Sequence, residues 1–114
     1  MTIFALSSAA GQSGIAVIRI SGPDTGEIIK LMTNSELPIP RKARLLKINN
    51  INNSSLIDEG IVLWFPAPNS YTGEDMAELH VHGSRAVITE IQNNLLSTKK
   101  CRMAEAGEFT KIAF

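Results

Sequence analysis

The sequence predicts an α+β fold, a mixed β-sheet with helices packed on one face. Three observations predict it. β-Branched or alternating runs recur at 15–20 (IAVIRI), 57–65 (IDEGIVLWF) and 77–82 (AELHVH). Two stretches, one after Asp24 and one over 84–96, carry apolar residues at helical spacing. Pro-, Gly- and Asn-rich segments separate these runs.

In chain order, residues 2–7 read as a short strand, followed by a small-residue loop over 8–14. The run 15–20 is bounded by Gly14 and by Ser21-Gly22-Pro23, so it reads as a buried strand. Arg19 inside it is unusual for such a strand. Asp24 or Thr25 can cap a helix whose apolar face is Ile28, Ile29, Leu31 and Met32. Residues 37–40 (LPIP) form an extended connector. Strands at 44–48 and 57–65 flank an Asn/Ser-rich turn at 49–55 and read as a hairpin. Residues 66–70 (PAPNS) form a rigid turn, because two prolines fix φ and donate no hydrogen bonds. Residues 77–82 alternate as a strand. Ser84 is the expected cap of a helix over 84–96 in which Ala86, Val87, Ile88, Ile91, Leu95 and Leu96 are apolar. A last short strand at 101–104 and a helix opening at 107–110 complete the order ββαβββαβα.

At 114 residues, with 44% apolar and 19% charged side chains, this is the composition of one soluble domain. Eleven basic residues balance eleven acidic ones, which excludes strong long-range attraction to nucleic acid or an anionic membrane. Cys101 stands alone, so an internal disulfide is excluded; it reads as a small buried apolar residue. The opening MTIFALSSAAGQSG lacks the basic start and apolar length of a signal peptide. No run approaches the ~18 apolar residues of a membrane span. A cytoplasmic domain with no membrane contact is expected. The apolar Phe114, in mid-pattern, is what a fragment of something longer would show.

Chemistry concentrates in NSYTGEDMAELHVHG, residues 69–83. Strand alternation puts Glu78, His80 and His82 on one side, opposite Ala77, Leu79 and Val81. Three polar groups in a row suit a metal, a general base or a hydrogen-bonded ligand, or simply a solvated sheet face. A metal site is disfavoured, since no C-x-x-C or H-E-x-x-H pattern accompanies them. Arg19 needs a carboxylate, with Glu78 or Asp75 as candidates, or an anionic ligand. SAAGQSG lacks a Gly-Lys-Ser/Thr ending and precedes a strand, so it is not a phosphate-binding P-loop. Gly14, Gly22, Gly73 and Gly83 are expected at turns with positive φ. The clusters RKAR (41–44) and KKCR (99–102) have no interleaved aromatics and read as solvated surface.

Three blocks, GIAVIRISGP (14–23), DEGIVLWFPAPNSYTGEDMAELHVHG (58–83) and AEAGEFTKIAF (104–114), resemble the N-terminal domain of the tRNA modification GTPase family MnmE, also called TrmE. The resemblance covers essentially the whole chain. It implies a fold similar to the tetrahydrofolate-binding domains of the glycine-cleavage T-protein type, homodimerisation, and binding of 5-formyltetrahydrofolate or methylenetetrahydrofolate. In the family, a helical domain and an inserted GTP-binding domain follow, and GTP, potassium and magnesium belong to the latter. With the flavoprotein MnmG (GidA), the family modifies the wobble uridine of tRNA, the folate supplying a bridging carbon. Carried over by motif, Arg19 and Glu78 are the implied folate contacts, and Asn69, Ser70 and Tyr71 shape the loop beside the pocket. No catalytic residue and no metal ligand is implied within these residues. Ile112 stands where the family has an arginine, and the family's following lysine motif lies beyond residue 114. These departures keep a second expectation open, a dimerisation scaffold without folate binding; a stand-alone aminomethyltransferase-like enzyme is a remote third.

Overall fold

The computed structural model describes residues 1–7 and 14–113. The expected loop at 8–14 falls, but for Gly14, outside the described residues, as does Phe114.

Along β2 (Ile15–Ser21) and β5 (Met76–His82), every second residue is buried. The two strands pair antiparallel, Ile18 opposite Leu79 and Arg19 opposite Glu78. Opposed residues share a face, so Ala16, Ile18, Ile20, Ala77, Leu79 and Val81 form one continuous apolar surface, all essentially inaccessible. β4 (Leu56–Phe65) joins β5 with Val62 opposite Leu79, and β3 (Arg44–Asn49) joins β4 as the expected hairpin. On the other side β1 (Thr2–Leu6) pairs antiparallel with β2, and β6 (Cys101–Met103) pairs parallel with β1. The result is a six-stranded mixed sheet in the order β3-β4-β5-β2-β1-β6.

Two helices cover the apolar face. α1 (Thr25–Thr33) brings Ile28, Ile29 and Met32, and α2 (Arg85–Ser97) brings Ile88, Ile91 and Leu95, into one core with Phe4, Ile18, Ile48 and Trp64. Each such side chain fully buried contributes about 1.5–3 kcal/mol. α3 (Glu108–Ala113) follows β6 and buries none of its side chains. Among the described residues no helix is long and apolar enough to cross a membrane.

The expected element order holds, with ends displaced by about a residue, since hydrogen-bond pairing rather than composition sets them. Four expectations need correction. β2 is buried on one face only: Ile15 is 58% exposed, and Val17 and Arg19 are half-buried, because the helices cover one side of the sheet. Leu31, Ala86 and Leu96 lie on the solvent sides of their helices. Asp24 precedes α1 but its side chain makes no cap hydrogen bond; it meets Thr2 instead, while the Thr25 hydroxyl donates to the Gly22 carbonyl at 2.9 Å. Gly22 and Gly73 have the expected positive φ, whereas Gly14 and Gly83 do not.

Ser84 caps α2 as expected, its Oγ accepting from the Val87 N–H at 3.2 Å. Cys101 is buried, its thiol donating to the Leu95 carbonyl at 3.2 Å, and burial pushes its pKa up. Asn94 is polar yet buried. Its Oδ1 accepts from the Ile51 N–H and its Nδ2 donates to the Asn49 carbonyl, both at 3.0 Å, so it pins the hairpin tip to α2.

Candidate functional site: a charged strand pair beside a cavity

The face of the sheet that α1 and α2 do not cover carries the charged groups. Register aligns Leu63 of β4, Glu78 of β5, Arg19 of β2 and Ala5 of β1 in one transverse row. Arg19 Nε donates to Glu78 Oε2 at 3.0 Å, and Glu78 Oε1 lies 2.9 Å from His80 Nε2. A carboxylate only accepts, so that ring nitrogen bears the proton. Glu78 is the more enclosed partner, its side chain 16% exposed against 38% for Arg19. The Arg19 guanidinium also lies over the Tyr71 ring, Cζ 5.8 Å from its centre. The expected arginine–carboxylate pair is therefore formed, with Glu78 and not Asp75. Asp75 Oδ1 instead accepts from the Ala67 N–H at 2.8 Å.

Arg19 lines a cavity of about 400 Å³. Its other walls include Leu6 from the end of β1, Met103 from β6, and Glu108, Phe109 and Thr110 from α3. The far wall is held by a second ion pair. Arg102 Nη1 and Nη2 donate to Glu108 Oε1 and Oε2 at 2.9 and 2.6 Å, and the Glu105 N–H donates to Oε1 at 2.9 Å. The Arg102 hydrogen bonds, helped by the Glu105 amide, lower the Glu108 pKa to about 2. Of the two ion pairs, Arg19 and Glu108 line the cavity, whereas Glu78 and Arg102 do not.

The 66–75 loop carries the remaining expected residues. Tyr71 reaches Arg19. Asn69 and Ser70 do not line the cavity: the Asn69 carbonyl accepts from Arg41, and the Ser70 hydroxyl donates to the Glu74 carbonyl. Their role is internal to the loop, which Ser21 anchors to the sheet through Thr72 Oγ1 at 2.7 Å. The Ala67–Pro68 peptide in this loop is cis.

His82, on the same side of β5 as Glu78, turns to a different partner. Its Nδ1 is 2.8 Å from Asp58 Oδ1, and its N–H donates to Asp58 Oδ2 at 2.9 Å. Burial pushes the Asp58 carboxyl up, but the His82 hydrogen bonds outweigh it and hold the pKa below the ordinary value. The two histidines thus serve separate carboxylates. Among the described residues no group of three or more His, Cys, Asp or Glu is arranged to hold a metal ion.

Sequence reasoning did not single out Arg102 and Glu108 as site residues. The signal was the GEFT block, conspicuous in sequence but with no strand alternation to show which way Glu108 turns. Asp58 was hidden likewise, as its partner lies on the neighbouring strand.

Fold and site together define an α+β domain with one open sheet face and, at the end of β1, a cavity sized for a small molecule that Arg19 of the charged strand pair lines. The chain belongs to the family described as GTP-binding protein TrmE N-terminus, whose model matches residues 2–114. It is 61% identical over 114 residues to the tRNA modification GTPase MnmE of Pelagibacter ubique (strain HTCC1062), covering 100% of this chain and 26% of that protein. It is 50% identical over 113 residues to the mitochondrial 5-taurinomethyluridine-[tRNA] synthase subunit GTPB3 of Danio rerio, covering 99% of this chain and 22% of that protein. The MnmE of Paramagnetospirillum magneticum (strain ATCC 700264 / AMB-1) is 49% identical over 113 residues, 99% of this chain and 25% of that protein. The chain thus spans about a quarter of the length of these curated relatives.

Proposed function

We propose that residues 1–114 form the folate-binding and dimerisation module of a cytoplasmic tRNA modification GTPase acting on wobble uridine U34. In this reading the cavity beside Arg19 takes a one-carbon tetrahydrofolate, 5-formyl- or methylene-, and the fold is a relative of the T-protein folate domains. GTP, potassium and magnesium are handled by a separate G domain, and the partners are a second copy of the chain, the flavoprotein MnmG (GidA) and tRNA.

The residues present fit such a ligand. A volume of about 400 Å³ lies within the ~300–1,000 Å³ typical of small-molecule sites. Leu6, Met103 and Phe109 suit the faces of a pteridine, and Arg19 suits its oxygens or an anionic glutamate tail. The Glu78 pair uses Nε of Arg19 and so leaves the two Nη groups for the ligand. Glu78 stands behind Arg19 rather than in the cavity lining; among the described residues each of its oxygens accepts one hydrogen bond and keeps a second lone pair for the donor-rich aminopyrimidine. The bound folate would supply the one-carbon unit; the chain's own residues bind and orient it. The observation that carries this reading is Arg19, fixed by Glu78 on a rigid strand and lining the cavity.

Titration calorimetry with 5-formyltetrahydrofolate tests it. Arg19→Ala should weaken binding roughly ten- to a hundredfold, the worth of a charge-assisted hydrogen bond. Glu78→Ala should abolish most binding while circular dichroism stays unchanged. Equal affinity in both variants would overturn the site assignment.

A second reading is a dimerisation scaffold without folate binding. Supporting it, the uncovered sheet face exposes Ile15 and Leu45, and Ile112, where the family resemblance expects an arginine, is 40% exposed. A dimer in sedimentation with no folate heat would favour it.

A further inference from the structure

We propose that Arg102 and Glu108 are positioning residues for the cavity: their ion pair holds the 104–107 turn and the start of α3 against β6, and so sets the wall formed by Phe109 and Thr110. The proposal deepens the ligand reading above and rests on it for the binding consequence.

Three features of α3 lead to it. Burial holds this helix only in part, since none of its side chains is fully buried and Phe109 is half-buried. The last backbone tie before the turn runs from the Ala104 N–H to the Phe4 carbonyl, at 2.8 Å. Beyond it the chain passes through Gly107 at φ +77°, a conformation that imposes no side-chain constraint on the turn. Among the described residues, the side-chain hydrogen bonds that join α3 to the sheet across that turn are those of the Arg102 fork. Strand register sets Arg102 opposite Ile3, so its origin is as firm as the sheet.

The geometry suits the task. An exposed single-contact ion pair contributes little. A planar guanidinium meeting both oxygens of one carboxylate fixes direction as well as distance. Glu108 Oε1 also takes the Glu105 N–H, so one carboxylate closes the turn and ties it to β6. Without it, Phe109 and Thr110 would keep their chemistry but lose their place.

Two measurements on the purified chain test this. In the first, without ligand, Arg102→Ala and Glu108→Gln should speed amide hydrogen exchange over residues 105–113 at least tenfold. β2 and β5 should be unaffected, and Arg102→Lys, which keeps the charge but not the fork, should fall between. Unchanged exchange at 105–113, or equal acceleration throughout the sheet, would overturn the proposal. In the second, calorimetry with 5-formyltetrahydrofolate should show at least a tenfold loss of affinity in Arg102→Ala with partial recovery in Arg102→Lys. Affinity equal to wild type would overturn the link from clamp to cavity. If the unaltered chain gave no folate heat, the ligand reading would fail, and the exchange experiment would still decide the clamp.

Discussion

Glu108, like Glu78, is a carboxylate held by an arginine. Glu108 has its pKa lowered to about 2 from the ordinary 4.5, by the Arg102 hydrogen bonds first and the Glu105 amide second. A depressed carboxylate contributes its stability in full above the ordinary value and loses it as pH falls through the folded-state value. The Arg102–Glu108 clamp should therefore be intact from neutral pH down to about 4.5 and be lost toward pH 2. Carbon-detected NMR titration should place the Glu108 midpoint near 2; a midpoint at 4.5 would mean that the pair does not form in solution. Arg19 and Glu78 show what alternation delivers at this scale. The period of two put Glu78, His80 and His82 on one side, and pairing then gave Arg19 to Glu78 at 3.0 Å. Alternation could not assign their carboxylates, because His82 takes Asp58 from the adjacent strand.

At the scale of elements, caps and close approaches set the energetics. Ser84→Ala should remove the α2 cap and cost about 1 kcal/mol. Asn94→Ala should cost about 1–3 kcal/mol, because it strands the Ile51 amide and the Asn49 carbonyl. Urea denaturation checks both, and Asn94→Ala is expected to be the more damaging. Gly60 has a stricter reason to be glycine. A Cβ there would lie 2.4 Å from the His80 carbonyl oxygen, which belongs to the paired strand β5. Gly60→Ala should push β4 from β5 and destabilise by about 1–3 kcal/mol; stability equal to wild type would mean that the strands part freely. Much of this scale was legible in the sequence, since α2 announces its cap and its Ile88, Ile91 and Leu95 stripe. Less was legible where partners are remote. Asp24 resembles a cap but is diverted to Thr2, and Asn94 resembles a surface residue but is buried under the hairpin tip. The apolar run 15–20 concealed that only one face of β2 would be covered.

For the whole molecule, two helices on one side of a six-stranded sheet leave the other side to the charged pairs and exposed apolar residues, while the cavity lies at the end of β1, where Arg19 meets Leu6, Met103 and Gln92 of α2. On that face Leu45, Ile61, His80 and Val17 form a second transverse row, with Leu45 59% exposed. If self-association uses this face, Leu45→Glu should convert a dimer to a monomer in sedimentation without changing the unfolding midpoint of the monomer by more than a few degrees. A dimer that persists would place the contact elsewhere. Sequence alone predicted which elements build the sheet, but not that its uncovered side would gather both arginine pairs. That depends on register between strands far apart in the chain.

The parallel pairing of Thr2 with Cys101 sets a temporal constraint. A nascent chain leaving the ribosome holds β1 ready well before β6, the strand that flanks it, has emerged. The hairpin and the β2–β5 ladder lie between these ends and can assemble beforehand. The cavity has to wait as well, because Leu6 belongs to β1 and Phe109 to α3, which follows β6. Ligand capture during synthesis would accordingly follow the emergence of α3, and a chain cut before Ala104 would keep much of its sheet but have nowhere to hold a guest.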